Sequence, residues 1–277
     1  MNATLSELVL YPVKGCAGVP VRQAQLVPTG LEVDGIGDRE WVVVDGDGEF
    51  LSQRELPQLA RVQPRFGFDS VRLKAPGMLD LEVPFASEGD VVQVRVWDDR
   101  VAAVTQGEIA DAWFSSYLGR PARLVRFDPE GTRLSSNKYT GKHDAPYKFA
   151  DAFALLVTGA ASLADLNQRL ARADHGAVTM ARFRPNLVLD GLPPFEEDYA
   201  RELRVAGATI RLVKPCARCS VPGVDPATGE HGTTVPDLLA TFRGRDDGVM
   251  FGMNGIVTDG AGTTLTVGDV VSVELAL

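Results

Sequence analysis

Sulfur and imidazole are scarce in this chain: three cysteines and three histidines in 277 residues. Three thiols always leave one outside any disulfide, and a small cystine-stapled fold is excluded at this length. No apolar run approaches the ~20 residues that a membrane span needs. The start, "MNATLSELVLYPVKG", lacks the basic residues and long apolar stretch of a secretory signal. A cytoplasmic location with no membrane partner is therefore expected. Positive charge is also in deficit, with 28 Lys and Arg against 37 Asp and Glu, a net charge of −9. General attraction to nucleic acid is ruled out by that sign, and any anion site must concentrate its cations locally. Neither a Gly-x-Gly-x-x-Gly fingerprint nor a Walker loop is present, and strands do not alternate regularly with helices. A doubly wound dinucleotide fold does not fit these absences.

The sequence is rich instead in short β-type runs. "SELVLYPV" ends at Pro12. "EWVVVDGDGEFLS" reads as two strands joined at Asp45-Gly46-Asp47-Gly48, because Asp-Gly steps favour hairpin turns. "DSVRLKAPG", "LDLEVP" and "VVQVRVWDDRVAAVTQ" continue the pattern, the last with a turn expected at Asp98-Asp99. The first helix falls at 108–119, with Ile109, Ala112, Trp113 and Tyr117 on its apolar side and Gly119 closing it. Residues 129–148 are polar and rich in turn formers, which predicts a linker or surface loop.

Beyond it, "FALLVTG", "PNLVLDG", "RVAGATIRLVKP", "MFGMNGIVTDG" and "TLTVGDVVSVEL" read as strands. "AASLADLNQRLARA" is an amphipathic helix with Leu163, Leu166 and Leu170 on one stripe, and "VPDLLATFRG" a short helix. The expected class is mainly β (α+β): a β-rich domain over 1–125, a connection over 126–148, and a β-barrel domain with a few helices over 149–277.

Two of the three cysteines lie in "VKPCARCSVPGVDPATGE". Zinc needs four ligands, usually as two close pairs. Cys216 and Cys219 make one pair, but Cys16, His143, His175 and His231 are scattered. A thioredoxin-type pair needs a helix after it, and Pro222, Gly223, Pro226 and Gly229 argue against one. Both thiols could simply be small buried apolar groups. The remaining chemistry is a single thiolate on a soft or high-valent metal that arrives with its own chelator. An anionic chelator would need cations and amides from remote segments: Lys14, Arg39, Arg184 with Asn186, and Arg218 are available. Each also has a plain alternative. Lys14 could be a solvated turn residue, Arg39 could pair with Asp38 or Glu40 on the surface, and one of Arg182 and Arg184 could be merely exposed. Asp225 reads as a turn residue bonding the backbone before Pro226.

The chain resembles proteins of the molybdenum-cofactor-sulfurase C-terminal (MOSC) domain family, of the amidoxime-reducing component type. The matching pieces, in the family's order, are "LYPVKGCAGVPV", "GLEVDGIGDREWVVVD", "ASLADLNQRL", "FRPNLVL", "CARCSVPGVDPATGE", "FGMNGIV" and "LTVGDVVSVE". The resemblance implies an N-terminal β-rich domain, a C-terminal β-barrel domain, and a Mo-molybdopterin between them. Cys219 matches the metal ligand, and Cys216 a supporting cysteine. Lys14, Gly15, Arg39, Arg184, Asn186, Ala217 and Arg218 match the cofactor-binding positions, the basic ones chiefly gripping phosphate. Small hydroxyl residues of the family are replaced here by Ala152, Phe153 and Ala217, so side-chain contacts there pass to backbone or are lost.

The implied activity is reduction of N-hydroxylated compounds (amidoximes, hydroxylamines, N-hydroxylated bases). Some family members carry an appended iron–sulfur domain. This chain stops at Leu277 with no further cysteines, so a separate reductase or ferredoxin-like donor is expected. Two other functions stay open: a sulfur carrier with a persulfide on Cys219, and a molybdopterin binding or storage protein without turnover.

Overall fold

The computed structural model describes residues 1–86 and 89–276, and the chain is mainly β. Strand β1 (Asn2–Leu10) alternates inward at Ala3 and Leu5 and is then buried from Leu8 to Leu10. That change of pattern marks a strand covered first on one face and then on both. After it come β2 (Val19–Val21), β3 (Gln23–Val27), β4 (Gly30–Val33), β5 (Ile36–Gly37) and the wholly buried β6 (Trp41–Val44). Next is a three-stranded meander: β7 (Gln63–Phe66), β8 (Ser70–Lys74) and β9 (Leu81–Pro84).

Strands β10 (Val91–Val96) and β11 (Asp99–Thr105) form a hairpin. Its turn falls at Trp97-Asp98, one residue earlier than expected, because Trp97 itself takes the left-handed conformation (φ 58°) and Asp99 already pairs with Val96. Helix α1 (Glu108–Leu118) closes on Gly119 at φ 68°, the left-handed C-terminal cap that glycine adopts without steric cost. Its buried face is Ala110, Trp113, Phe114 and Leu118. Ile109, expected on that face, is 80% exposed. The stripe is centred on positions 110 and 114, and at about 100° per residue Ile109 falls about 120° from that centre and Ala112 on the opposite face.

The second half contains β12 (Arg123–Phe127), the short α2 (Asn137–Thr140), β13 (Leu155–Gly159) and α3 (Ala160–Arg172). Then come β14 (Leu187–Asp190), β15 (Ala200–Val205), β16 (Ala208–Arg218), α4 (Thr234–Arg243), β17 (Gly244–Arg245), β18 (Gly248–Asp259), β19 (Thr264–Thr266) and β20 (Val270–Leu275). In α3, Leu166 and Leu170 are buried and Leu163 partly so. The β15–β16 turn is Ala206-Gly207, both at positive φ, the pairing that matches strand twist in a two-residue hairpin.

Seven strands close into a barrel in the order β13-β14-β1-β20-β15-β16-β18, with β18 pairing back onto β13. Strands β13 and β14 are parallel and are joined through α3, as a parallel pair requires a long crossover. Strand β1, from the start of the chain, sits between β14 and β20 (Leu5 opposite Leu189, Asn2 opposite Ser272). Strand β2 pairs on β1, and β17 on β18.

Smaller sheets, β10-β11-β12-β6 and β19-β3-β4-β5, flank the barrel. One apolar cluster runs through both halves, from Leu10, Trp41, Leu59 and Phe114 to Leu155 and Leu212. Each such fully buried side chain contributes about 1.5–3 kcal/mol. The stretch expected as a connection is held in place. Arg133 donates to Asp99 and to the Lys148 and Ala150 carbonyls, and Leu134 bridges to Pro146. No helix of the described residues is long and apolar enough to cross a membrane.

Because β1 completes the barrel, residues 144–277 made alone are expected to stay unfolded. Co-expression with residues 1–143 is expected to restore native dispersion in amide NMR spectra. A well-dispersed spectrum from 144–277 alone would show that β1 is dispensable.

Candidate functional site

The cysteine pair lies at the end of β16 and just beyond it, since that strand continues through Arg218 rather than stopping at Pro215. Pairing of β16 with β18 slips twice in this region, between Leu212 and Lys214 and between Pro215 and Ala217. Such bulges break the in–out alternation and re-aim side chains. As a result Lys214, Pro215, Cys216, Ala217, Arg218 and Cys219 all line one cleft of about 270 Å³. Cys216 is half-buried and Cys219 exposed. Beyond Cys219 the chain makes a short 3-10 turn at Val221–Gly223, not an α-helix, so the pair lacks the helix N-terminus of a dithiol redox site. Among the described residues no three His, Cys, Asp or Glu side chains converge on a metal position. A metal here would take a thiolate from the chain and its other ligands from a carrier.

The opposite wall comes from far off in sequence. Lys14 is set by its backbone N–H bonding the Trp41 carbonyl at 2.7 Å. Its ammonium pairs with Asp151 and lies 5.3 Å from the Phe50 ring centroid. Burial pulls Lys14 below its ordinary pKa, and the Asp151 charge opposes that pull. Gly15, at φ 84°, turns the chain there and accepts a bond from Gln53 through its carbonyl. Arg39 and Arg184 place their guanidinium carbons 4.3 and 4.4 Å from the centroid of the same ring, Tyr11. Gly18 lets the chain pass beside that ring, because a Cβ there would meet Tyr11 at 2.6 Å.

Arg39 Nη1 donates to Asp38 and, at 3.1 Å, to Asn186 Oδ1, and Nη2 to the Arg184 carbonyl. The pairing with Asp38 is thus real but lies inside the protein, where Asp38 is 2% exposed. Glu40 turns away to Arg126 and Lys148. Arg184 Nη1 donates to the Cys16 carbonyl at 2.6 Å, and burial lowers the Arg184 pKa. Arg39 and Arg184 are both left-handed, at φ 48° and 58°, a conformation costing about 1–2 kcal/mol for a residue with a Cβ. Such strain persists where surrounding bonds over-determine it. Arg182 is not an exposed neighbour of Arg184: it reaches the other way, to Asp225 at 2.8 Å and to the Pro222 and Gly223 carbonyls. Asp225 also accepts from the Ala227 N–H, so it fixes the loop after the cysteines.

Arg218 donates to Cys216 Sγ at 3.1 Å and to the Phe183 carbonyl at 2.9 Å. Asn186 lines the cleft but is 1% exposed. Its amide accepts from Arg39 and from the Leu156 N–H and donates to the Val9 carbonyl, so it ties β1, β13 and Arg39 together. Ala152 and Phe153 are on the wall, with Phe153 packed edge-on against Tyr139. Asp151, Phe50, Trp97, Arg54 and Lys214 are among the lining residues not anticipated from sequence. Trp97 Nε1 bonds Asp151 at 3.0 Å. The Lys14 charge and the Lys14 and Trp97 hydrogen bonds hold the Asp151 pKa well below the ordinary value.

The cleft is an anion trap in an acidic protein. Lys14, Arg39, Arg54, Arg184, Lys214 and Arg218 line it, against Asp151 alone among the described lining residues. Arg184 Nη2 and Arg218 Nε are buried with no acceptor among the described residues. Unpaired buried donors are costly, and an anion at this wall would meet that need. The residues therefore fit a phosphate-bearing group beside a reachable thiol.

Residues 2–121 match the MOSC N-terminal beta barrel domain and residues 144–272 the MOSC domain. The chain is 36% identical to the mitochondrial amidoxime reducing component 2 of Bos taurus over 246 residues, 87% of this chain and 72% of the relative. It is 32% identical to the mitochondrial amidoxime-reducing component 1 of Homo sapiens over 248 residues, with the same coverage of each. The molybdenum cofactor sulfurase of Homo sapiens is 30% identical over 270 residues, 90% of this chain but 29% of that protein.

In native protein at pH 8, iodoacetamide is expected to modify Cys216 and Cys219 and to spare Cys16, with the third thiol reacting only after denaturation. Mass mapping of the adducts checks this. Burial raises Cys16 from 9.0 to about 12 and Tyr11 from 10.0 to about 12. The unfolded chain loses these protons first, so the stabilisation they represent is whole below pH ~9 and is lost as pH rises toward ~12. Denaturation midpoints should fall across that window, and Cys16→Ala should flatten its lower part.

Proposed function

The chain belongs to the MOSC family, and from that premise we propose that it is a molybdenum-cofactor-dependent reductase of N-hydroxylated compounds, fed by a separate electron-donor protein. The observation that carries this reading is the joint placement of an exposed thiol, Cys219, and the unpartnered buried nitrogens of Arg184 and Arg218 on one cleft. Lys14, Arg39, Arg184 and Arg218 would hold the cofactor phosphate, and Cys219 the metal. Gly15 and Ala217 would approach it through backbone, Ala217 having no side-chain donor. Asn186 would act through Arg39, whose guanidinium it fixes.

A bound molybdopterin supplies a metal that takes one oxygen atom in a two-electron reduction. The protein's share is different. Charge-assisted bonds from several fixed cations remove the penalty of burying a phosphate. Arg39 and Arg184 are oriented before anything binds, because both lie over the Tyr11 ring and Asp38 and Asn186 hold Arg39. The thiol is left reachable at a strand end, where substrate also enters.

Two named relatives are amidoxime reducing components, which supports N-hydroxylated nitrogen compounds as the substrate class. A persulfide carrier also needs an exposed thiol, but it gives six converging cations nothing to bind.

Protein produced with molybdenum in excess is expected to carry close to one Mo per chain by elemental analysis. Cys219→Ser should drop Mo to near zero while retaining pterin measured by fluorescence after release. Arg184→Ala should lose both. Undiminished Mo in Cys219→Ser would remove the thiolate from the site.

A further inference from the structure

Asp151 is the sole acid among the described residues lining a cleft of cations, and its two carboxylate oxygens are treated differently. Lys14 Nζ and Trp97 Nε1 both donate to Oδ1. No described residue donates to Oδ2, and the side chain is 73% exposed. The donors on Oδ1 are themselves fixed. Trp97 sits at the β10–β11 turn at φ 58°, with the Arg54 guanidinium 4.4 Å from its ring centroid and Phe50 edge-on at 4.7 Å. The Arg54 and Phe50 contacts hold the Trp97 ring with its Nε1 toward Asp151. The carboxylate is therefore aimed, with one oxygen committed and the other open.

Resting on the reductase reading above, we propose that Asp151 Oδ2 is the specificity-determining group that binds the N–H of an amidinium- or guanidinium-type head as it forms. This favours N-hydroxy compounds whose reduced product is a strong base. The balance for an amidoxime is R–C(NH2)=N–OH plus two electrons and two protons giving R–C(NH2)=NH and water. The N–O bond breaks, the oxygen leaves as water, and the electrons come from the external donor protein. The amidine then takes one more proton from solvent to become amidinium. An amidoxime is a far weaker base than its amidine, so positive charge grows on the nitrogens as the N–O bond opens.

A pre-aimed carboxylate stabilises that late charge more than the neutral starting compound, which is the condition for accelerating the step. A hydroxamic acid gives a neutral amide and gains nothing from Asp151. Lys14 does not cancel the effect, because in the loaded protein its charge is matched by the cofactor phosphate. Arg54 and Lys214 are the remaining lining cations, and Arg54 is engaged by the Trp97 ring.

The test uses molybdenum-loaded protein and Asp151→Asn, which keeps an acceptor at Oδ1 for Lys14 and Trp97. The ratio of kcat/KM for benzamidoxime to that for benzohydroxamic acid is expected to fall at least about tenfold, the scale of one charged hydrogen bond. Calorimetric binding of benzamidine to the same loaded protein is expected to weaken by a similar factor. An unchanged ratio with unchanged benzamidine affinity overturns the proposal. So does an equal loss on both substrates with a fall in Mo content, which makes Asp151 a cofactor holder. If the wild type reduces neither compound, the reductase reading fails. Benzamidine binding by wild type and its loss in Asp151→Asn then still decide the subsite.

Discussion

The architecture rests on stacking two guanidinium groups, Arg39 and Arg184, over one buried tyrosine ring with a single carboxylate, Asp38, for company. Nothing in ordinary folding favours this. Two like charges close together repel, and each loses hydration. The ring face, the Asn186 amide and the carbonyls of Cys16 and Arg184 offset part of that cost. The rest is not offset by protein, as the unpartnered Arg184 Nη2 records. A site whose own residues are under-satisfied in one sign is preorganised for a ligand of the other sign.

Three separated segments must meet to make this wall: the turn after β1, the left-handed corner before β6, and the left-handed corner before β14. Barrel closure brings them together. Strand β1 enters between β14 and β20, so the turn carrying Lys14 leaves the barrel beside the residues preceding β14. The bulged end of β16 comes to the same place from the other side. Local concentration of cations is then compatible with a chain of net charge −9, because salt screens exposed charges from one another beyond ~8–10 Å.

Much of this was legible in the sequence because it is written locally. Strand alternation, the Gly119 stop and the Cys-x-x-Cys spacing are short-range signals. The basic residues of the cleft were identifiable because motif resemblance reports remote partners that spacing cannot. Asp151 and Trp97 were not legible. Asp151 lies 54 residues from Trp97 and 137 from Lys14, and no periodicity links a hairpin tip to a loop after Ala150. The direction of Arg182 was equally hidden, since only the folded position of Asp225 separates it from Arg184. The outward turn of Ile109 results from a helix stripe set by the two large rings, Trp113 and Phe114, rather than by the first apolar residue. Left-handed backbone at Arg39, Trp97 and Arg184 has no signature in side-chain type.

The division of work between arginine and lysine explains why one acid is tolerated here. A guanidinium keeps its proton when buried and is flat, so Arg39 and Arg184 can share one aromatic ring. An ammonium loses its proton readily on burial, and the desolvation acting on Lys14 pulls in that direction. Asp151 opposes that pull from the cleft edge. That service needs only one oxygen. The other remains at the surface of the cleft because a carboxylate cannot be halved, and its position is set by Lys14 and Trp97 rather than by any demand of its own. A group that pairs with Lys14 through one oxygen thus also leaves a carboxylate oxygen open in the cleft that Cys219 lines.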